Sequence, residues 1–340
     1  MTAILALENG SPDDVVRASP RACATPFSSL NLKPGEELTL RDLLYAALLR
    51  SSNDAAVSIA EHIAGTESEF VAMMNEKAKE IGAKDTHFVN PHGLHHPAHY
   101  STTYDLALIA RYAADIPEFN QIVATRYRGI ERSMNKKDVL LKSTARLLWK
   151  FDGADGIKTG YTKQAGHCFV GSATRDGWRL ISVVLKSKNS TDDTSALLNF
   201  GFKYWKQVSF ARKGHVVASL PVSGGTVDRV DLVAADHLAK VARKSAEIES
   251  RRDLNAKRAV APIEKGEKLG TLTGYINGHP VGSVGLLAGS AVDRTFVAAV
   301  WTWTRSILVV SFVLFAGYLA YGTAVAKVAR RRRDRVSARS

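Results

Sequence analysis

The sequence predicts an α+β fold: helices with an antiparallel sheet, then a small β-rich domain, then a C-terminal transmembrane helix. Three observations carry this. Apolar residues recur at helical spacing through most of residues 40–114. Two strand-like runs, 167–173 and 178–185, flank the turn signal Arg175-Asp176-Gly177. Past Val208 only short β-rich runs follow, until 21 residues without a charge, 306–326.

Taken in order, residues 1–10 are an apolar run that reads as the back half of a helix ending at Gly10. They have neither the basic start nor the small-residue cleavage site of a signal peptide, so the chain reads as cut inside a helix. Pro34-Gly35 marks a turn. Thr39 and Asp42 form a capping pair ahead of the stripe Leu40, Leu43, Leu44, Ala47 and Leu48. Ser51-Ser52-Asn53 interrupts the pattern. A second helix follows with Ala56, Ile59, Ala60 and Ile63 inward and Gly65 as its stop. Residues 70–82 and 105–114 read as two more helices, the latter stopped near Pro117. Residues 90–99 are a loop rich in Pro, Gly and His, and 139–148 a looser segment. Residues 196–204 are predicted as a helix against the sheet. In the β-rich part, 216–222, 227–233, 259–262, 269–275 and 281–287 are strand-like, with Asn277-Gly278 as a hairpin turn.

The chain has 340 residues, room for about two domains, with an ordinary globular composition of 45% hydrophobic and 23% charged residues. Its net charge of +13 is uneven. The last 14 residues hold Lys327, Arg330, Arg331, Arg332, Arg333, Arg335 and Arg339 against Asp334 alone. The remaining excess suits an anionic surface such as cell wall or lipid headgroups; nucleic acid is the rival, but no nucleic-acid-binding motif appears. Two cysteines make no disulfide framework, and Cys168, inside an apolar strand, reads as a buried small hydrophobe.

At about 1.5 Å per residue, 306–326 extends roughly 31 Å, close to the ~30 Å hydrocarbon core. Trp301, Trp303 and Tyr321 lie near its ends as interface aromatics. The basic tail then places the C-terminus in the cytoplasm and residues 1–300 outside. A buried core helix and an amphipathic surface helix are the alternatives; the arginine cluster and the lack of a polar face weigh against them. The expected division is 1–207, 208–295, an anchoring segment 296–326 and a cytoplasmic tail 327–340.

Lys158-Thr159-Gly160 carries the chemistry. As a bare tripeptide it is common by chance, and a plain surface lysine at a strand start is the alternative. Asp155-Gly156 precedes it as a turn signal, which puts Lys158 on a strand of the antiparallel sheet. Ser51-Ser52-Asn53 lies at a helix junction 107 residues earlier. A Ser-x-Asn turn and a Lys-Thr-Gly strand are the second and third motifs of penicillin-binding serine acyltransferases. Further similar stretches are Leu32-Lys33-Pro34-Gly35-Glu36, Arg41-Asp42-Leu43-Leu44-Tyr45, Asn90-Pro91-His92-Gly93-Leu94, residues 100–107 and, in the β-rich domain, residues 264–270. Together they resemble a D-alanyl-D-alanine carboxypeptidase, a low-molecular-mass penicillin-binding protein, over nearly the whole chain.

The resemblance implies a serine β-lactamase/transpeptidase-like domain, an antiparallel sheet plus a helical lobe, and acyl transfer. A serine, activated by a lysine three residues on, attacks the carbonyl of the penultimate D-Ala of a peptidoglycan stem peptide; the terminal D-Ala leaves and water hydrolyses the acyl-enzyme. In that scheme Ser51 relays a proton to the leaving amine, Asn53 holds the substrate amide and the general-base lysine, and Lys158 supplies positive charge. Thr159 faces the terminal carboxylate, with Gly160 beside it, and the Tyr161 N–H is half of an oxyanion hole. No cofactor or metal is implied. The implied partners are stem peptides, β-lactams if the chain is full length, and the lipid bilayer, not nucleic acid.

The sequence departs from the pattern in two places. The Ser-x-x-Lys motif should stand before Ser51, and in relatives is followed by one apolar residue and Met-Thr; this chain opens on Met1-Thr2. Its one Ser-x-x-Lys, Ser133-Met134-Asn135-Lys136, follows Ser51 in a polar stretch and reads as chance. Where many relatives carry a carboxylate-binding arginine, this chain has Ser190-Thr191-Asp192-Asp193, with Lys186 or Lys188 as substitutes, although a point charge is not a bidentate fork. His92, His95, His96 and His99 invite a metal reading, but without a known zinc spacing a polar loop is expected. Asp105 reads as a helix N-terminal cap, with a catalytic acid as the alternative. Two functions from different classes stay open: a membrane-anchored carboxypeptidase without its nucleophile in this chain, and an inactive wall-binding or scaffold homologue. A β-lactamase or endopeptidase of the same fold fits less well.

Overall fold

The computed structural model describes residues 1–134 and 139–296. The chain divides after Trp205 into two compact units.

The first unit opens with α1 (Thr2–Asn9), β1 (Val15–Arg17), the short α2 (Pro20–Cys23) and β2 (Glu37–Thr39). β1 and β2 pair antiparallel. Thr39 ends β2 and caps α3 (Leu40–Leu49) by accepting from the Asp42 N–H. The buried face of α3 is Leu40, Leu43, Leu44, Tyr45, Ala46 and Leu49; Ala47 and Leu48, expected inward, are half-buried. α4 (Asn53–Ala64) ends at Gly65, whose φ of 82° needs the freedom of glycine. α5 (Glu67–Ile81) and α6 (Thr103–Ala114) follow. α7 (Pro117–Ala124) was absent from the sequence reading; Pro117 there opens a helix as well as closing the previous one, because its missing N–H costs nothing at the first helical position.

β3 (Tyr127–Ile130) and β4 (Val139–Lys142) form a two-stranded sheet, followed by the short α8 (Leu147–Lys150). The expected antiparallel sheet is β5 (Ala154–Thr162), β6 (Gly166–Arg175) and β7 (Trp178–Ser187), in that spatial order. Asp176 and Gly177 both take positive φ in the β6–β7 turn, matching the twist of the flanking strands. α9 (Ser190–Tyr204) packs on β6 and β7. It starts six residues earlier than expected, because Asn189 caps it through the Asp192 N–H.

Besides a small cluster of Leu5, Ala60, Phe70 and Met74, two clusters hold this unit. One gathers Ile4, Leu40, Leu43, Leu44, Ile59, Ile122, Leu141 and Ile157 from the helices, β4 and β5. The other joins Leu147, Leu148 and Phe151 to Phe169 and Ala173 of β6 and Leu198 of α9. Cys168 is half-buried rather than buried: its strand face alternates, and Phe169 takes the inner position.

The second unit is all β: β8 (Trp205–Ala211), β9 (Val216–Ser223), β10 (Arg229–Ala234), β11 (Leu238–Arg243), β12 (Ser250–Ala256), β13 (Ala259–Val260), β14 (Lys268–Ile276) and β15 (His279–Ala288). Six pair in the order β12-β14-β15-β10-β9-β13, and β8 pairs with β11. β8, β11 and β12 were not read from the sequence; Ser250–Ala256 is polar enough to read as loop, yet it pairs with β14 along its whole length. Val230, Leu232, Leu272 and Leu286 centre the core. Among the described residues no helix is long and apolar enough to cross a membrane. The expected span 306–326, its flanking aromatics and the basic tail lie outside the described residues.

Candidate active site

Lys158 lies on β5 opposite Val170 of β6. The pleat turns Ile157 into the core and Lys158 to the other face. Its Nζ donates to Ser51 Oγ and, at 3.0 Å, to the Thr159 carbonyl. Its surface is partly open, but Nζ sits deep, and burial lowers the ammonium to about 8.

Ser51 sits between the end of α3 and the start of α4. Its φ of 57° is left-handed, a conformation that costs a non-glycine residue about 1–2 kcal/mol. The surroundings fix it: Ser52 N–H bonds to the Ala46 carbonyl at 3.2 Å, and Thr144 N–H to the Leu49 carbonyl at 2.9 Å. Such strain persists only where neighbours over-determine it, and it gathers at functional sites.

Asn53, the first residue of α4, is nearly buried at 6% exposure. Its backbone N–H bonds to the Ser28 carbonyl at 2.7 Å and its Nδ2 to the Pro26 carbonyl at 2.9 Å. The side chain therefore holds the 26–28 loop. Asp54, wholly buried, completes the clamp: its carboxylate accepts from Ser29 Oγ and from the N–H groups of Leu30, Leu32 and Ala55.

Thr159 Oγ1 lies 2.8 Å from Thr144 Oγ1. Gly160 pairs with Cys168 and Tyr161 with His167, the last two with rings 4.5 Å apart. A Cβ placed on Gly160 would meet nothing within 4 Å, so this end of β5 faces open space. The structure thus brings Ser51 onto Lys158 and sets Thr159 beside them, while the Asn53 amide is engaged by Pro26. Thr144 was missed: a threonine before a short helix carries no spacing signal, and only the fold sets it against Thr159.

Ser133 of the one Ser-x-x-Lys accepts the Glu37 N–H at 2.9 Å, next to the buried Arg132–Glu36 pair; Asn135 and Lys136 lie outside the described residues. The stretch 190–193 is the first turn of α9. The expectation that Asp105 caps a helix is corrected. Thr102 is the cap of α6, and Asp105 Oδ2 accepts from Asp85 N–H and Thr86 Oγ1 at 2.7 and 2.8 Å. The histidines fold their own loop: His92, His96 and His99 accept the N–H groups of Leu94, Ala98 and Val89. Burial, aided by the neighbouring histidines, lowers His99 to about 4, so it stays a neutral acceptor at physiological pH.

Residues 1–189 match the family described as D-alanyl-D-alanine carboxypeptidase, and residues 205–294 match the C-terminal domain of penicillin-binding protein 5. The D-alanyl-D-alanine carboxypeptidase DacF of Bacillus subtilis is 34% identical over 282 residues, covering 80% of this chain and 72% of its own length. DacC of Escherichia coli is 30% identical over 282 residues, 81% of this chain and 69% of its own. The crystal structure of penicillin binding protein 5 from Haemophilus influenzae superposes with a TM-score of 0.62 at 28% identity, covering 86% of this chain and 88% of that one. The architecture is therefore the penicillin-binding, transpeptidase-like α+β fold with a C-terminal β-rich domain. Motifs, fold and relatives agree: the chain belongs to the D-alanyl-D-alanine carboxypeptidases, the low-molecular-mass penicillin-binding proteins.

Proposed function

We propose that residues 1–205 supply the substrate-holding and proton-relaying side of a serine D-Ala-D-Ala carboxypeptidase site, which removes the terminal D-Ala of peptidoglycan stem peptides through an acyl-enzyme. The observation that carries this reading is the hydrogen bond from Lys158 Nζ to Ser51 Oγ. An ammonium lowered to about 8 gives up a proton readily near neutral pH, and a serine in contact with it passes that proton to a departing amine. Thr159 takes the terminal carboxylate beside Gly160, and the Tyr161 N–H serves the oxyanion. Asn53 fixes the loop beside the substrate amide. The same cleft accepts β-lactams, whose ring carbonyl presents the same target to the acylating serine.

Acylation needs a serine with a lysine three residues on, and residues 1–340 hold none ahead of Ser51. Half of the oxyanion hole goes with it, a loss of about 3–4 kcal/mol at comparable sites. This polypeptide by itself is expected to form no covalent penicillin adduct and to release no D-Ala. The alternative reading is a wall-binding homologue that holds stem peptides without cleaving them. The uncharged stretch 306–326 and the basic tail support an anchor with residues 1–300 outside and the tail cytoplasmic. Protease added to sealed cells should then spare a tag placed after Arg333.

Labelling with a fluorescent penicillin tests the chemistry, using residues 1–340 beside a version joined behind a Ser-x-x-Lys turn. Label on the second alone is the expected result. Stoichiometric label on the first, at Ser133 or Ser51, contradicts it; label on neither favours the wall-binding reading.

A further inference from the structure

Phe27 gains nothing from folding and costs something. It is 80% exposed, so its ring buries almost no area. Its φ is 68°, a left-handed backbone that penalises a bulky residue where glycine or asparagine would sit easily. A lone aromatic on the surface is ordinary and by itself needs no function. Two features set this one apart.

First, the loop that carries it is fixed from several sides. Ser28 Oγ donates to the Arg50 carbonyl at 2.9 Å, and the Ser28 carbonyl accepts the Asn53 N–H at 2.7 Å. Further along, the buried Asp54 carboxylate accepts from the N–H groups of Leu30 and Leu32. Arg132, buried against Glu36, donates to the Leu30 carbonyl at 3.1 Å. The loop has a second positive φ, 56° at Asn31, but asparagine tolerates it. A left-handed phenylalanine persists only where its neighbours over-determine it, and such strain gathers at binding and catalytic sites. An aromatic on a backbone fixed in advance gives up little freedom when it meets a ligand.

Second, hydrogen bonds tie Phe27 to the proposed site. The carbonyls on either side of it, those of Pro26 and Ser28, both accept from Asn53. Ser28 also reaches Arg50, the residue before Ser51. Phe27 is therefore carried on a segment laid against the turn that holds Ser51. The hydrogen bonds that residues 26–32 make outside their own loop run to 50–54 and to Arg132; among the described residues none runs to β5. In the carboxypeptidase reading Thr159 of β5 takes the terminal carboxylate, and Asn53 stands by the substrate amide. A ring held on the Asn53 side then falls toward the acyl part of the peptide.

We propose that Phe27 is a specificity residue for the acyl side of the substrate: its ring packs on the aliphatic side chain of the residue that precedes the D-Ala-D-Ala pair. The proposal rests on the carboxypeptidase reading for its orientation. The group it selects is a straight aliphatic chain, whose methylenes lie on the ring while any polar end stays in water.

The test uses residues 1–340 and two probes, acetyl-L-norleucyl-D-Ala-D-Ala and acetyl-glycyl-D-Ala-D-Ala, in NMR titrations. Wild type is expected to bind the norleucyl peptide at least about fivefold more tightly, as partial burial of four carbons requires. Phe27→Asn is expected to bring the two within about twofold of each other, and Phe27→Tyr to keep the preference. The urea midpoint of Phe27→Asn is expected at or above that of wild type, because asparagine accepts the left-handed backbone. That combination, selectivity lost and stability kept, is one that a merely structural residue does not give. Equal affinity of wild type for both peptides, an unchanged preference in Phe27→Asn, or both peptides weakened alike with a lowered midpoint overturns the proposal. Penicillin labelling of the Ser-x-x-Lys-bearing version separates this from the reading beneath it. Label without peptide discrimination sinks the role of Phe27 alone; discrimination without label sinks the carboxypeptidase reading.

Discussion

Ser51 and Lys158 each occupy a state that folding alone disfavours, a left-handed backbone and a desolvated ammonium, and each consequence is measurable. Burial holds the folded Lys158 at about 8, below its ordinary 10.5. Between those values the unfolded chain binds the proton and the folded chain does not, so this group adds stability as pH rises from about 8 to 10.5. Below about 8 both states are charged and the full desolvation penalty remains. Lys158→Met is therefore expected to remove that rise, read as the difference in urea midpoint between wild type and variant across pH 7–11; an unchanged slope contradicts a buried ammonium. At Ser51 the usual order of residues is expected to invert. Ser51→Gly should be more stable than Ser51→Ala by about 1 kcal/mol, since both lose the hydroxyl but only alanine keeps the left-handed cost. Equal urea midpoints for the two would show the strain to be absent.

Among elements, the α3–α4 junction does most to build the site, because Asn53 and Asp54 at the start of α4 tie down the loop of residues 26–32. Asp54→Ala leaves buried N–H groups of Leu30, Leu32 and Ala55 unpaired, and is expected to cost about 3–5 kcal/mol, measurable by urea denaturation. Asp54→Asn, which keeps one acceptor, should cost less. Ser51, Lys158 and Thr159 could be proposed from the sequence because a fixed chemistry demands those residue types in two short motifs. The β5–β7 sheet was legible for a different reason: apolar strands around Asp176-Gly177 announce a hairpin locally. The start of α9 was read late because its cap, Asn189, stands before a polar first turn, residues 190–193, that carries no apolar stripe. β12 was illegible because Arg251, Arg252 and Asp253 give no alternation; its pairing with β14 decides its conformation. Thr144 could not be found at all, since its role exists only after β5 folds beside it.

For the whole molecule, the two units bury separate cores, one around Leu43, Leu44 and Ile59, the other around Leu232, Leu272 and Leu286. Each is expected to keep its own unfolding transition, so calorimetry should not fit a single two-state curve. Leu286→Ala, at a fully buried position, should cost about 2–5 kcal/mol and lower only one transition. A single cooperative transition displaced as a whole would contradict this. The central claim is that Ser51 and Lys158 act as one proton relay, and a double-mutant cycle on penicillin acylation tests it most directly. The cycle uses the version bearing a Ser-x-x-Lys turn, with Ser51→Ala, Lys158→Met and both together. Each single variant is expected to acylate about 10²–10⁴-fold more slowly, and the double variant no more slowly than the worse single one, because a broken relay cannot be broken twice. Losses that multiply, or single variants that acylate at the wild-type rate, would show that the two residues do not work as a pair.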